Sequence, residues 1–175
     1  MPALLRAFAE LRDYEDLHLV ICSSSKPKQA RALAKLAERL GVAEKVRWLF
    51  QLDRAELAAW VGHAAAAAAP LTESPRNLEQ GCCPLKVLEA MAAGIPVVAS
   101  DLPVTRELIE DGATGHLARA GRPGDLAMAL RLVLEYPEQA AAMGKAAQEA
   151  VRQRFTWEQN RAATRDFFRR LTMSP

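Results

Sequence analysis

The chain has 175 residues, half of them apolar, and its 23 Lys and Arg against 21 Asp and Glu give a net charge of +2. This length suits one domain with a substantial core, and no basic tract of the kind that follows a nucleic-acid backbone interrupts the mixed charges, so we predict no nucleic-acid partner. No apolar run is long enough to cross a bilayer and no segment resembles a signal peptide, so a cytoplasmic location is expected.

Cysteines and histidines are few and poorly placed for disulfide or metal chemistry. Cys82 and Cys83 are adjacent, so a bond between them would be severely strained, and the third cysteine leaves an odd count. The three histidines lie far apart, and no Cys-x-x-Cys pair accompanies them. We therefore predict reduced thiols and no metal site. The phosphate-loop, Gly-x-Gly-x-x-Gly, His-Glu-x-x-His and Gly-x-Ser-x-Gly motifs are also absent.

Hydrophobic periodicity predicts strands and helices in alternation. Asp53, followed three residues later by Glu56, predicts a capping box at the start of one helix. Residues 64–69 are six alanines, which favour helix by propensity, but their place between two helices predicts a buried strand. The predicted helices are residues 1–13, 30–40, 54–61, a helix around Glu89 from Pro84 to Gly94, 105–110, 123–135, 137–152 and 157–171. The predicted strands are residues 18–22, 46–50, 64–71, 96–99 and 115–118.

This alternation places the chain in the α/β class, with a doubly wound parallel sheet covered by helices on both faces. Ligands of such sheets bind beyond the carboxyl ends of the strands, where loops lead into helix N-termini. Four loops meet that description: residues 23–26, 51–52, 71–83 and 100–102.

The helix around Glu89 carries the most informative signal. Apolar side chains at positions 85, 87, 88, 91 and 92 leave it little polar surface, and a carboxylate there is costly unless a partner hydrogen-bonds it. A bound ligand is one such partner, and an ion pair with Lys86, three residues earlier, is another. Pro84 suits the first helical position, so we predict that free backbone amides at Leu85 and Lys86 face an anion such as phosphate.

The same region resembles a known family. Four segments carry the resemblance: LEAMAAG at 88–94, PVVAS at 96–100, RELI at 106–109 and Asp-Gly-x-x-Gly at 111–115. They are similar to the donor-binding half of family-4 glycosyltransferases, which are retaining enzymes of the GT-B fold. The resemblance covers most of the chain from Leu17 onward, including FTWE at 155–158. It implies a Rossmann-like domain, the C-terminal half of a GT-B fold, that binds a nucleotide-diphosphate sugar for hexosyl transfer to a glycan or lipid acceptor.

The resemblance also implies a donor site. In that family the carboxylate matching Glu89 holds the ribose hydroxyls, and the helix N-terminus ahead of it receives the diphosphate without a metal. The implied donor-binding residues lie around the start of this helix, with one after the second strand: Gly81, Cys83, Pro84, Leu85, Lys86, Glu89 and Leu52. No catalytic residue and no cofactor other than the donor substrate are assigned. Asn77, Glu79 and Gln80 are either solvated loop residues or contacts of the sugar hydroxyls.

Two departures from the family pattern matter. The family has a second glutamate, which contacts the donor sugar, eight positions before the first, and this chain has Gly81 there. The CPLK segment at 83–86 matches a variant found in some relatives. The chain also starts after the family's first strand, with its diphosphate-binding Arg and Lys, and after the acceptor-binding half. We therefore predict one domain over residues 1–175 that lacks its first strand and its N-terminal acceptor domain, a fragment that is inactive in isolation.

Two other functions stay open at this point. One is a nucleotide-sugar binding or interaction module that has lost turnover, and the other is the related half of a sugar-nucleotide epimerase, which is expected to show additional acid-base histidines and carboxylates. The expected partners are the nucleotide-sugar donor and the missing acceptor domain, and the resemblance is compatible with peripheral membrane association of the full enzyme. An in-frame first half upstream of Met1 would favour the enzyme.

Overall fold

The computed structural model describes residues 1–24 and 26–173. Helices and strands alternate through most of this part of the chain. In order they are α1 Pro2–Ala9, β1 Leu19–Ser23, α2 Pro27–Arg39, a 3-10 turn Ala43–Lys45, β2 Val46–Phe50, α3 Arg54–Gly62, β3 Ala67–Ala69, α4 Pro75–Leu78, α5 Leu85–Ala92, β4 Val97–Asp101, α6 Pro103–Arg106, β5 His116–Arg119, α7 Pro123–Glu135, α8 Pro137–Arg154 and α9 Trp157–Met173.

Most predicted elements are confirmed. The helix predicted to start at residue 30 begins earlier, at Pro27, because proline fits the first helical turn, where its missing N–H is not needed. The predicted capping box of α3 is present: the Glu56 amide donates to Asp53 at 2.8 Å, and the Asp53 amide donates to Glu56 at 2.9 Å.

Four predictions of extent were wrong. The first helix was predicted to run to residue 13 but ends at Ala9 and continues as turns. The strand predicted for residues 64–71 is reduced to the three residues of β3, directly before Pro70, which has no N–H to continue a ladder. The predicted 71–83 loop contains the short helix α4, and the helix predicted for 105–110 is the single turn of α6, which ends at Arg106.

The strands form two parallel ladders instead of one continuous sheet. In the first ladder β1 pairs with β2, from Leu19 opposite Val46 onward. In the second, β4 lies between β3 and β5. Within the described residues no ladder pairing joins β1 to β3. The α/β class with parallel strands is therefore confirmed, with a break between the two ladders.

Helices cover both faces of the second ladder, as predicted. Val98 of β4 belongs to a buried cluster with residues of α1 and α7, whereas the next residue, Ala99, belongs to a cluster with residues of α5 and α8. Successive side chains of a strand point to opposite faces, so these two clusters lie on opposite sides of β4.

Helix α1 contributes to the cores of both ladders. Its residues Leu5, Phe8 and Ala9 pack in a cluster with β1, β2 and α2, whereas Leu4 and Ala7 pack with β4, β5 and α7. Five of the eight residues of α1 are buried, whereas Pro2 and Arg6 are exposed.

The end of α5 is shaped by two glycines. Gly94, at φ +75°, donates its N–H to the Met91 carbonyl at 2.9 Å, and the Ile95 N–H reaches the Ala90 carbonyl at 3.1 Å. These bonds form a Schellman motif, in which glycine takes the left-handed position. Gly144 of α8 lies against the same turn, and a Cβ added there would overlap the Gly94 carbonyl. Helices α5 and α8 thus make a backbone contact that only glycine at 144 permits.

The closing helix α9 projects apolar side chains into solvent. Trp157 is 75% exposed, and Phe167 and Leu171 are each 60% exposed. Thr156 and Gln159 bond each other's amides at its start, so the helix is capped although it packs little. No helix within residues 1–24 and 26–173 combines the length and apolarity that a membrane crossing needs.

Candidate functional site

The start of α5 offers one free backbone amide rather than two. No side chain caps this helix. The Leu85 N–H donates to the Cys83 carbonyl at 3.0 Å, so the prediction that it is free was wrong. The Val87 N–H is also used, by the Pro84 carbonyl at 2.8 Å, and the Lys86 N–H has no hydrogen-bond acceptor in the described part of the chain. An uncapped helix N-terminus with a free amide is a ready site for an anion.

Glu89 is exposed, which corrects the prediction of a buried helix. The buried face of α5 is made by Val87, Ala90 and Met91, which pack against β3 and β4. Leu85 is 64% exposed, and Lys86 and Glu89 are exposed as well. A count of apolar residues does not show which helix face each one occupies, and the solvent-facing side of α5 includes the apolar Leu85.

Three of the predicted donor residues share that exposed face. Leu85 and Lys86 precede Glu89 by four and three residues, which are the spacings of neighbours on a helix surface, so the three side chains lie on one side of α5. Within the described residues, Glu89 forms no ion pair and its carboxylate accepts no hydrogen bond, so the alternative Lys86–Glu89 pair is not formed. A carboxylate and a cation therefore stand beside the uncapped end of α5, each with free bonding capacity.

Two electrostatic effects show which other elements approach α5. The pKa of the Met1 α-amino group is lowered, first by burial and then by the positive charge of Lys86, so the starts of α1 and α5 lie near each other. The pKa of the Cys83 thiol is raised by burial, with smaller contributions from Cys82 and Glu107. A raised thiol pKa lowers the thiolate fraction, which argues against Cys83 as a nucleophile.

Other predicted residues shape the loop before α5. Gly81 has φ +69°, a conformation that favours glycine, so the position of the family's second glutamate adopts a backbone that a glutamate would strain. Asn77 is 8% exposed, and its side-chain amide donates to the Thr72 carbonyl at 2.7 Å, so it fastens the loop. Glu79 and Gln80 are exposed.

Leu52 follows β2 in the other ladder. Its neighbour Gln51 is the non-glycine residue with positive φ, at 54°, in the part of the chain that the structure describes, and its N–H donates to the Ser23 carbonyl at 2.9 Å. No hydrogen bond or ion pair among the described residues links Leu52 to the α5 group. Its assignment to the donor site stays a prediction. The unusual backbone at Gln51 had no signal in the sequence.

A cavity of about 250 Å³ lies at the carboxyl ends of β3, β4 and β5. Three of its lining residues, Leu71, Thr72 and Ser100, belong to the loops predicted to bind ligand. Arg119, the last residue of β5, and Arg122, which follows that strand, were missed. The Nε and Nη2 atoms of Arg119 donate to the two carboxylate oxygens of Asp125. That pairing raises the pKa of Arg119 and lowers that of Asp125. The sequence carried only the weak signal that arginines follow a predicted strand.

Nothing in the described ranges gathers three or more His, Cys, Asp or Glu side chains as a metal site would require. Metal-free binding of a diphosphate nevertheless stays a prediction, since it concerns a bound ligand. The three cysteines within the described residues are free, as predicted.

The parallel strands and the helices on both faces make this a Rossmann-like domain, with the uncapped helix α5 at its strand-end edge. The sequence matches the description "Glycosyl transferases group 1" over residues 2–150, and the chain belongs to this family. It is 34% identical to D-inositol 3-phosphate glycosyltransferase 2 of Catenulispora acidiphila, over 95% of this chain and 39% of that protein. It is 35% identical to the phosphatidyl-myo-inositol mannosyltransferase of Mycobacterium leprae, over 90% of this chain and 39% of that protein. The chain thus spans about two fifths of the length of these curated relatives.

Solved structures agree with the fold. Sucrose-phosphate synthase from Thermosynechococcus elongatus aligns with a TM-score of 0.85 and 25% identity, over 98% of this chain and 42% of that one. Anabaena HepE, solved in complex with UDP-glucose, aligns with a TM-score of 0.73 and 23% identity, over 87% of this chain and 40% of that one. The resemblance to GT-B glycosyltransferases is therefore confirmed.

Proposed function

We propose that this chain is the donor-binding domain of a hexosyltransferase that uses a nucleotide-diphosphate sugar. The observation that carries the proposal is the uncapped start of α5, where the free Lys86 amide lies one turn before the exposed, unpaired Glu89. Family membership supports it, as do the mannosyltransferase name of one relative and the UDP-glucose bound to HepE.

The spacing on α5 suits the two polar parts of such a donor. Glu89 lies three residues after Lys86, which is a rise of about 4.5 Å along the helix axis. The helix N-terminus and the Lys86 amide would receive the diphosphate, because the helix dipole and the free N–H both favour an anion. Glu89 would accept hydrogen bonds from the ribose hydroxyls. Pro84, Cys83 and Gly81 would bring the loop backbone to the same place.

This arrangement predicts that a nucleoside diphosphate binds without a metal. Calorimetric titration of the chain with UDP in EDTA and again in Mg²⁺ should give similar dissociation constants, because α5 and not a cation neutralises the phosphates. ADP and GDP, measured in the same way, would identify the base. Binding that requires Mg²⁺ would contradict the role given to α5.

We also propose that the chain works with an acceptor-binding domain that precedes it. The chain spans two fifths of its relatives, and the exposed apolar side chains of α9 together with Leu85 offer surface for such a contact. The chain alone should transfer no sugar, since transfer depends on holding both reactants together. Sugar transfer by the isolated chain to any acceptor would overturn this proposal.

The break between the ladders supports a missing strand. β1 pairs only with β2 and β3 only with β4 within the described residues, so each has one open edge, while Leu19 of β1 and Ala68 of β3 pack against the same cluster. We propose that a strand from the preceding segment fills this place. Hydrogen exchange should show amides of β1 and β3 that are unprotected in this chain and protected in a longer form of the protein. Equal exchange in both forms would argue against the strand.

Retention of configuration and a glycan or lipid acceptor complete the proposal. Proton NMR of the first product formed by the full-length protein would show whether the anomeric configuration of the donor is kept. We place the enzyme in the cytosol because its three described cysteines are unpaired.

A binding module without turnover is the second candidate. It is favoured by Gly81, whose left-handed backbone disfavours the sugar-contacting glutamate of the family pattern. Donor turnover by the full-length protein would exclude this candidate, and tight donor binding without turnover would favour it.

A further inference from the structure

The cavity at the ends of β3, β4 and β5 lies on the other side of the ladder from α5. Its lining includes the starts of two helices, Pro2 and Ala3 of α1 and Leu126 of α7. Both helices belong to the core on the Val98 face, whereas α5 packs on the Ala99 face. Met1 also lines the cavity and lies near Lys86, so the cavity and the start of α5 are neighbouring places on opposite faces of the ladder.

Ser100 is a buried residue whose hydroxyl has no hydrogen-bond partner among the described residues and is open to this cavity. It is only 5% exposed and lies two residues after Val98 on β4, so its side chain points to the face that the cavity continues. The Thr105 hydroxyl donates to the Ser100 carbonyl. Within the described residues, the Ser100 hydroxyl makes no hydrogen bond. Among the described residues, every side-chain nitrogen or oxygen that is inaccessible to solvent has a hydrogen-bond partner. The Ser100 hydroxyl has none, so it is accessible through the cavity. A ligand that enters the cavity can therefore accept a hydrogen bond from this hydroxyl.

The surroundings of Ser100 favour an anionic ligand. No side chain caps α1 or α7, and both helices begin at the cavity, so their positive dipole ends lie beside it. Arg122 lines the cavity, and its guanidinium makes no hydrogen bond or ion pair within the described part of the chain. The charge of Arg119 is matched by Asp125, so the net positive charge comes from Arg122 and the Met1 α-amino group.

We propose that this cavity binds a phosphate group, with the Ser100 hydroxyl donating to a phosphate oxygen and Arg122 balancing the charge at the opening. The site would be a second phosphate position in addition to the one proposed at α5. Its ligand is a phosphorylated small molecule whose apolar part contacts the strand ends and Leu126.

Inorganic phosphate and pyrophosphate are suitable probes, titrated into the chain and followed by ³¹P line broadening and calorimetry. Ser100→Ala and Arg122→Gln should each weaken binding about tenfold, since each removes a hydrogen bond or a charge from an anion. Ser100→Thr, which keeps the hydroxyl, should bind more tightly than Ser100→Ala. Arg152→Gln is the matched control, because Arg152 is exposed on α8 and does not line the cavity.

The phosphate-binding measurements distinguish the cavity from the site at the start of α5. Phosphate binding that is lost in Lys86→Gln but unchanged in Ser100→Ala and Arg122→Gln would overturn the cavity proposal and leave the donor site intact. No binding of either probe by the unmodified chain would also overturn it, while UDP binding would still test the donor site. If Ser100→Ala fails to fold, Arg122→Gln carries the test, because the exposed Arg122 does not support the core.

Discussion

Replacing Glu89 with glutamine tests the donor site most directly. Glu89 is exposed and its carboxylate has no partner among the described residues, so nothing in the fold depends on its charge. The free energy of unfolding should change by less than about 0.5 kcal/mol. If the carboxylate accepts ribose hydroxyls, it contributes roughly 1.5 to 3 kcal/mol, so UDP affinity should fall about ten- to a hundredfold.

The assay compares two variants in two measurements. Calorimetry gives the dissociation constant for UDP, and a melting curve gives the stability of Glu89→Gln and of the control Glu38→Gln. Glu38 is an exposed glutamate on α2 without an ion pair in the described ranges, so its replacement removes the same charge at another place. The control should bind UDP normally. Unchanged UDP affinity in Glu89→Gln would refute the donor assignment, since Lys86 and Leu85 were placed there by the same helix face.

Three further predictions concern stability. Gly144→Ala should destabilise the chain by about 1 to 3 kcal/mol in urea unfolding, because its Cβ overlaps the carbonyl at the end of α5, and a smaller change would mean that α8 shifts freely. Gly81→Ala should destabilise by about 1 kcal/mol through its positive φ, whereas Gly62→Ala, with ordinary φ and open space, should not. Hydrogen bonding to Arg131 lowers the pKa of Asp13, so its stabilisation is present above the unfolded pKa and is lost as pH falls through the lower folded value. Asp13→Asn should remove that part of the acid dependence of the melting midpoint, and an unchanged pH profile would show that the pair adds nothing.

The order of elements could be predicted from the sequence because it depends on local signals. Asp53 with Glu56, the prolines at helix starts and Gly94 after α5 each act within a few residues, and the structure confirms the elements they mark. The family was recognised from the LEAMAAG and PVVAS segments for the same reason.

The predictions that were wrong, and the cavity that was missed, depend on tertiary contacts. The exposure of Glu89 follows from which face of α5 meets β3 and β4, and apolar counts alone do not determine that face. Six alanines have no strong strand preference, so the length of β3 depends on its pairing with β4 and on Pro70, which follows it. The cavity needs Ser100 and Arg122 to approach through the fold, although 22 positions separate them in sequence.

The shared position of α1 has a consequence for how the chain unfolds. Leu5 and Phe8 anchor it to one ladder and Leu4 and Ala7 to the other, with no strand pairing between the ladders in the described residues. Cooperativity between the two halves must then pass through side-chain packing, much of it on this single short helix. Loosening α1 would divide one melting transition into two, with the β1–β2 half, which has fewer strands, unfolding first.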